Sequence, residues 1–234
     1  MDETLKMRLR DPYKLALVVA AGVVTGVFTL WVGRPQFTGW LNHTYYYFVQ
    51  VRGLLEQGSL PYPDMPLLFH LYAALARALI GMGMESEAAV VASTRIVMSI
   101  VPALVALPVY GIVKALSGGV ALRRAQWVIV SAAAFLPLSL SHLPEVSQKN
   151  MLGLLLLATL IFYSQKLLQR FSRRDASISV LLMVLIVSSH FGTFAAMIFY
   201  GIAVSLAYWF VTGTSRRTLL SALFLLAGGG AAMV

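Results

Sequence analysis

Long apolar runs alternate with short basic clusters along most of this chain. The first run, 15–33, carries no charged residue and is long enough to cross a hydrocarbon core of about 30 Å at roughly 1.5 Å per residue. A polar turn at 188–193 divides the run 176–215, which is far too long for one span. The pattern predicts an all-α polytopic membrane protein with about seven transmembrane helices in one domain, 1–234. The later apolar runs are 90–113, 125–141, 150–168, 176–215 and 218–234.

One long segment, 34–90, interrupts this alternation and gathers much of the polar, aromatic and prolyl content. Its apolar part, 66–84, contains His70 and Arg77 and is short, so it fits either a complete span or a helix lying in the interface. A span would place later basic clusters outside the membrane, whereas an interfacial helix places every cluster inside. We therefore expect 34–90 to be one external loop with amphipathic helices at 43–57 and 66–82.

The composition indicates a lipid solvent and assigns the excess of basic residues to topology. Hydrophobic residues make up 59% of the chain, charged residues 12%, and the mean hydropathy is +0.80. The net charge of +9 would suit a nucleic acid, but most of the 18 Lys and Arg residues lie in the N-terminal segment or in predicted cytoplasmic turns. We expect a multi-pass protein of the cell (inner) membrane with a cytoplasmic N-terminus and no nucleic-acid partner. The absence of cysteine excludes disulfides and a cysteine nucleophile.

Three external segments carry the candidate chemistry, and the predicted topology brings them to the same membrane face. An active site at a membrane surface requires such convergence. Any polytopic protein shows it as well, because polar residues lie where the water is. The polar residues of these segments are Asn42, His43, Asp64, His142, Glu145, Lys149 and His190.

Several residues of the long loop have two interpretations. His43 is either a base or metal ligand, or an interfacial hydrogen-bonding residue. Tyr45, Tyr46 and Tyr47 fit an aromatic belt or a platform that stacks on a sugar ring. Asp64 lies in the proline-flanked sequence PYPDMP, where it either caps the next helix or faces the site.

The other candidates lie near predicted helix ends. Arg95 is a cation just inside a span and requires a partner such as an external carboxylate or a phosphate. Glu145 and Lys149, four residues apart, form either a helical ion pair or a carboxylate and an ammonium facing the site, where the ammonium holds a phosphate. His190 lies in a helix break, where packing and capping compete with catalysis. No zinc, phosphate-loop, dinucleotide or Ser-His-Asp pattern is present.

The order of these features resembles the N-terminal half of the type C glycosyltransferases. The resemblance lies in the first span, the long external loop ending in PLLFHLYAAL, the arginine that opens STRIVMSIVPAL, a short basic turn, and the external LPEVSQKN before a leucine-rich span. It covers nearly the whole chain. It implies a polytopic enzyme that transfers a sugar from a polyprenyl-phosphate donor to an acceptor at the non-cytoplasmic face, and we expect this chain to be an N-terminal portion of such a protein.

The resemblance also assigns roles to individual residues. Members usually place an acidic residue early in the first external loop, but the matching position reads Asn42-His43, so His43 is the base available there. Asp64 and Glu145 match the other acidic positions and form the expected catalytic pair. Two scattered carboxylates fall short of the ligands a divalent metal prefers, which leaves the cofactor open. The expected substrate-binding residues are Asn42, Tyr45, Tyr46, Arg95, Lys149 and His190.

Two other classes of function remain open. A non-catalytic relative would keep the fold and lose the base, as the missing early carboxylate permits. A transporter of lipid-linked substrates would line a path with the same polar residues, although an internal repeat and charges in the middle of spans, which transporters often show, are not evident in the sequence.

Overall fold

The computed structural model describes residues 42–117 and 148–212, together with three isolated positions. These residues form helices and no strand, so the all-α prediction is confirmed for this part of the chain. The helices are α1 (Asn42–Glu56), α2 (Leu67–Gly81), α3 (Ser86–Leu104), α4 (Ala106–Leu116), α5 (Gln148–Gln169), α6 (Arg173–Val187) and α7 (Phe191–Thr212).

Two stretches of the described chain are long and apolar enough to cross a membrane. They are the α3–α4 run, Ser86–Leu116, and the stretch Lys149–Gln169 of α5. Helix α2 and the stretch Phe191–Ala207 of α7 are shorter apolar helices. The predicted spans at 15–33, 125–141 and 218–234 lie outside the described residues.

Helices α1 and α2 form a layer over α3. Each helix lies within one residue of its predicted bounds, and both contact α3 as well as each other. Helix α3 begins at Ser86, because the Glu85 carboxylate accepts hydrogen bonds from the backbone N–H groups of Glu87 and Ala88. The long loop is therefore a folded, helical cover on one side of the bundle.

The predicted helix 90–113 is divided in the structure. Helix α3 ends at Leu104 and α4 begins at Ala106, with Pro102 inside the last turn of α3. Proline has no N–H to donate, and its ring clashes with the carbonyl four residues earlier. The N–H of Val105 donates to the Pro102 carbonyl three residues back, so the regular α-helical hydrogen-bond pattern is interrupted at Val105.

Helices α5, α6 and α7 pack on one another, and α5 also contacts α3 and α4. The predicted break at 188–193 is confirmed in its position, since α6 ends at Val187 and α7 begins at Phe191. At the other end of the α5–α6 pair, Lys166 donates to Asp175 at 3.2 Å. The N-terminal end of α5 and the α6–α7 turn consequently lie at the same end of the bundle.

The three consecutive tyrosines face different environments because successive helical residues are rotated by about 100°. Tyr47 is buried and packs on Phe69 and Tyr72 of α2 at 5.7 and 6.3 Å between ring centroids. Tyr45 is exposed and contacts Phe48 edge-on. The interpretation of all three tyrosines as one aromatic belt is therefore wrong, since Tyr47 belongs to the core.

A close approach between Gly53 of α1 and Pro61 fixes the path of the chain between α1 and α2. A Cβ atom added at Gly53 would lie 2.3 Å from both the Cγ and Cδ atoms of Pro61. Only glycine admits this contact, so the proline-rich connection lies flat against α1.

We expect Gly53→Ala to lower the free energy of unfolding by about 1–3 kcal/mol, because the added methyl group overlaps the Pro61 ring. Thermal unfolding of the detergent-solubilised protein measures the loss. Gly81→Ala is the matched control, since a Cβ there meets nothing within 4 Å. Equal stability of the Gly53→Ala variant and the wild type would contradict the contact.

Candidate functional site

A buried ion pair between Asp64 and Lys149 lies at the centre of the candidate site. The Lys149 Nζ donates to Oδ1 of Asp64 at 2.8 Å and to Oδ2 at 2.5 Å. The side chains are only 13% and 15% exposed, respectively. The pair joins the loop between α1 and α2 to the first turn of α5, across 85 residues of sequence.

The Asp64 carboxylate accepts two further hydrogen bonds. The Tyr46 hydroxyl donates to Oδ2, and the backbone N–H of Met65 donates to Oδ1 at 2.7 Å. Burial acts to raise the pKa of Asp64, but the hydrogen bonds from Lys149, Tyr46 and Met65 outweigh burial and lower that pKa below its ordinary value. Asp64 is therefore an ionised acceptor at neutral pH.

Asp64 does not cap the helix that follows it. Helix α2 has Pro66 at its N-cap and no side-chain cap. The N–H of Leu67, in the first turn of α2, donates instead to the carbonyl of Ser188 at the end of α6, at 3.1 Å. This bond attaches the loop to the α6–α7 turn and leaves the Asp64 carboxylate available to Lys149.

Helix α5 approaches the start of α7 closely at Gly153, one helical turn after Lys149. A Cβ atom at Gly153 would lie 2.1 Å from the Thr193 Oγ1. Gly153 follows Lys149 by one helical turn on the same face of α5, and Thr193 lies three residues after His190. The close approach therefore brings the α6–α7 turn beside Lys149.

His190 shares the electrostatic environment of the ion pair. Burial lowers the pKa of His190 below its ordinary value of 6.5, and the positive charge of Lys149 lowers it further, against an opposing effect of Asp64. The imidazole is consequently neutral at pH 7 and able to accept a proton.

Two aromatic rings enclose the ammonium of Lys149. Its Nζ lies 5.8 Å from the ring centroid of Tyr46 and 5.9 Å from that of Phe69. These rings exclude water from one side of the ammonium, and their π faces attract its positive charge. Tyr46, Asp64, Lys149 and His190 thus form one polar cluster, called the Asp64 cluster below.

The structure places other predicted site residues elsewhere. Tyr45 is 60% exposed on the outer face of α1. Arg95 lies on an exposed face of α3 and, with Glu87 and Val91, lines an open groove of about 570 Å³.

Asn42 and His43 belong to the first turn of α1, but their side chains are outside the described part. His142 and Glu145 also lie outside the described residues, so the expected pairing of Asp64 with Glu145 stays a prediction.

The Asp64 cluster does not fit a divalent metal. The Lys149 ammonium occupies the position at which a cation would bind the Asp64 carboxylate. Among the residues that the structure describes, no group of three or more His, Asp or Glu side chains is placed to hold a metal ion.

Sequence reasoning missed Gln50 and Gly153, although each left a signal. Gln50 is a lone amide in the apolar and aromatic run YYYFVQV, four residues after Tyr46 and thus on the same helical face. Gly153 interrupts a leucine-rich helical run, which is typical of a close packing contact.

Comparison with protein-family models, with curated proteins and with solved structures gives no match.

The ion pair predicts an energetic coupling that a double-mutant cycle measures. We expect Asp64→Asn or Lys149→Met alone to lower the free energy of unfolding by about 1–3 kcal/mol, because each leaves a part-buried charged group without its partner. The double variant should lose markedly less than the sum. The matched control is the exposed pair of Arg52 and Glu87, for which we expect a coupling of about 1 kcal/mol or less. Additive losses at Asp64 and Lys149 would refute the coupling.

The lowered pKa of His190 predicts that the protein loses stability in mild acid. Because its pKa is lowered in the folded protein, the unfolded chain binds the proton first as the pH falls below about 6.5. Stability is therefore lost as the pH falls from there through the folded-state pKa. The pKa of Asp64 is lowered from 3.8, so its contribution is lost only at lower pH.

We expect His190→Gln to reduce the drop in Tm between about pH 7.5 and pH 5.5, because the glutamine cannot be protonated in this window. His70→Gln, at an exposed histidine of α2, is the control. An unchanged drop in the His190→Gln variant would show that another group causes it.

Proposed function

We propose that the protein is an integral membrane glycosyltransferase that moves a sugar from a polyprenyl-phosphate donor to an acceptor at the non-cytoplasmic face. The observation that supports this proposal is the Asp64 cluster, which combines a cation, a neutral imidazole and an aromatic wall at one end of the bundle. We also propose the full topology of about seven spans, with the N-terminus in the cytoplasm and this cluster on the opposite side of the inner membrane.

Sugar transfer from such a donor requires two kinds of group. The acceptor hydroxyl oxygen forms a bond to the anomeric carbon while the bond from that carbon to the phosphate oxygen breaks, and the phosphate leaves with the electron pair. A cation must stabilise the leaving phosphate, and a base must take the acceptor proton.

Lys149 is the proposed phosphate-binding cation. An ammonium has three N–H donors, and Asp64 accepts from two of them. We assign the third donor to a phosphate oxygen. Asp64 fixes the position of the ammonium and is in this proposal a positioning residue, because its lowered pKa makes it a weak base.

His190 is the proposed base within the Asp64 cluster, since it is neutral at pH 7. His43 and Glu145 stay proposed catalytic residues on the resemblance to type C glycosyltransferases, whereas Asp64, which the same resemblance assigned to catalysis, is given the positioning role. Asn42, Tyr45 and Arg95 stay proposed substrate contacts, together with Tyr46.

One observation favours a second candidate function. The Asp64 carboxylate accepts four hydrogen bonds and is saturated by protein donors. A non-catalytic membrane subunit of the same fold would use such a pair solely to hold its external loop in place. The two candidates differ in whether Lys149 contacts a phosphate.

We expect a transfer assay in membranes supplied with polyprenyl-phosphate sugars to lose about 100-fold or more in rate with Lys149→Met and with His190→Gln, since each removes a group that acts in the transition state. Glu145→Gln and His43→Ala test the other proposed bases in the same assay. The matched control is Lys166→Met, which removes the ion-paired lysine at the opposite end of α5.

Wild-type rates in both the Lys149→Met and His190→Gln variants would overturn the assignment of these residues. Absence of transfer by the wild-type protein across a broad set of donors would favour the non-catalytic subunit.

A further inference from the structure

Gln50 is a fully buried amide in the middle of α1, at 0% exposure. Burying an amide is unfavourable unless its polar atoms are hydrogen-bonded. Its Nε2 donates to the Tyr46 hydroxyl at 2.8 Å and to the Tyr62 carbonyl at 2.9 Å, and its Oε1 accepts from the Tyr62 N–H at 3.1 Å. Both amide hydrogens and the amide oxygen are therefore in use.

The contacts with Tyr62 determine the orientation of the Gln50 amide. The backbone of Tyr62 offers one donor and one acceptor, and these match the Oε1 and Nε2 atoms of Gln50 in only one orientation. A flipped amide would place its N–H₂ group against the Tyr62 N–H and its oxygen against the Tyr62 carbonyl, and neither contact is a hydrogen bond. The Nε2 group is consequently fixed beside Tyr46.

The amide also determines which way the Tyr46 hydroxyl points. Since Gln50 donates to the phenol oxygen, the phenol hydrogen is directed to another acceptor, and the nearest is Oδ2 of Asp64. Gln50 therefore contacts two neighbours of Asp64 at once. They are the Tyr46 hydroxyl, which donates to Asp64, and the backbone of Tyr62, two residues before Asp64.

We propose that Gln50 is the positioning residue of the Asp64–Lys149 pair, acting through the Tyr46 hydroxyl and the Tyr62 backbone. The amide places the carboxylate opposite the ammonium without touching either group. Its relevance to sugar transfer rests on the proposed function, whereas its effect on Asp64 does not require turnover.

The alternative is that Gln50 only fills the interface between α1 and the loop. In that case its loss lowers stability and leaves the protonation of Asp64 in the folded protein unchanged. The two accounts differ in the titration of a single carboxyl group, which NMR follows directly.

The test uses protein labelled with ¹³C at the aspartate carboxyl carbons, in lipid nanodiscs. The chain has only four aspartates, Asp2, Asp11, Asp64 and Asp175, and Asp64→Asn identifies the Asp64 signal. We expect Gln50→Met, which keeps the side-chain volume but removes all three hydrogen bonds, to raise the titration midpoint of Asp64. Without Gln50 the Tyr46 hydroxyl and the Asp64 carboxylate lose their fixed geometry. The hydrogen bonds to Asp64 that favour its ionised form are then weakened.

Two further variants show whether Gln50 acts through Tyr46. Tyr46→Phe removes the phenol donor and should also raise the midpoint. The double variant should shift it by less than the two single shifts together, because both variants weaken the same donor. Gln57→Met, at an exposed glutamine just after α1, is the matched control and should leave the midpoint at the wild-type value.

The Asp175 signal reports folding in the same spectra, since this residue is paired with Lys166 far from Gln50. An unchanged Asp64 midpoint in Gln50→Met, with the Asp175 signal as in the wild type, would overturn the proposal, and so would fully additive shifts. If the transfer assay fails in the wild type while the midpoint shifts as expected, the proposed function fails and the positioning role stands.

Discussion

The structure depends on the pairing of two charges that are almost excluded from water. An isolated carboxylate or ammonium at the exposure of Asp64 and Lys149 would be unfavourable by several kcal/mol, so each requires the other. The pair connects the loop between α1 and α2 to α5, and the hydrogen bonds around it continue through Tyr46 and Gln50 to the Tyr62 backbone. The cover formed by α1 and α2 therefore has a defined position on the bundle, in addition to its apolar contacts.

The hydrogen bonds to Asp64 favour stability but oppose the proposed binding of a phosphate. A carboxylate with four donors holds the loop firmly, but it also reduces the electrostatic attraction that Lys149 offers to a phosphate. The aromatic rings of Tyr46 and Phe69 partly offset this reduction because they keep the ammonium away from bulk water. A donor phosphate that binds as proposed would share the lysine with Asp64, and its binding would then be coupled to the position of the loop.

Much of the helical layout was predictable because it follows local rules. The pattern of apolar and polar residues located α1, α2 and the apolar part of α3, and the polar run at 188–193 located the α6–α7 turn. The break at Val105 was missed because Pro102 lies in an apolar run that reads as continuous.

The partner of Lys149 could not be predicted by the same reasoning. Glu145 is the nearest carboxylate in sequence, and a spacing of four residues favours a local helical pair. The actual partner, Asp64, reaches Lys149 only through tertiary packing that depends on a glycine contact at Gly153 and on the Leu67–Ser188 hydrogen bond. Such long-range contacts leave no periodic signal, although Gln50 and Gly153 stood out as unusual residues in their runs.

The hydrogen bond from Leu67 to Ser188 also imposes an order on biosynthesis. Ribosomes add roughly 5–20 residues per second, so Ser188 emerges on the order of ten seconds after Leu67. During that interval the first turn of α2 lacks its acceptor. The segment that leads into α2 can make this contact only once Ser188 has been synthesised, so a chain terminated before Ser188 lacks the hydrogen bond that attaches α2 to the α6–α7 turn.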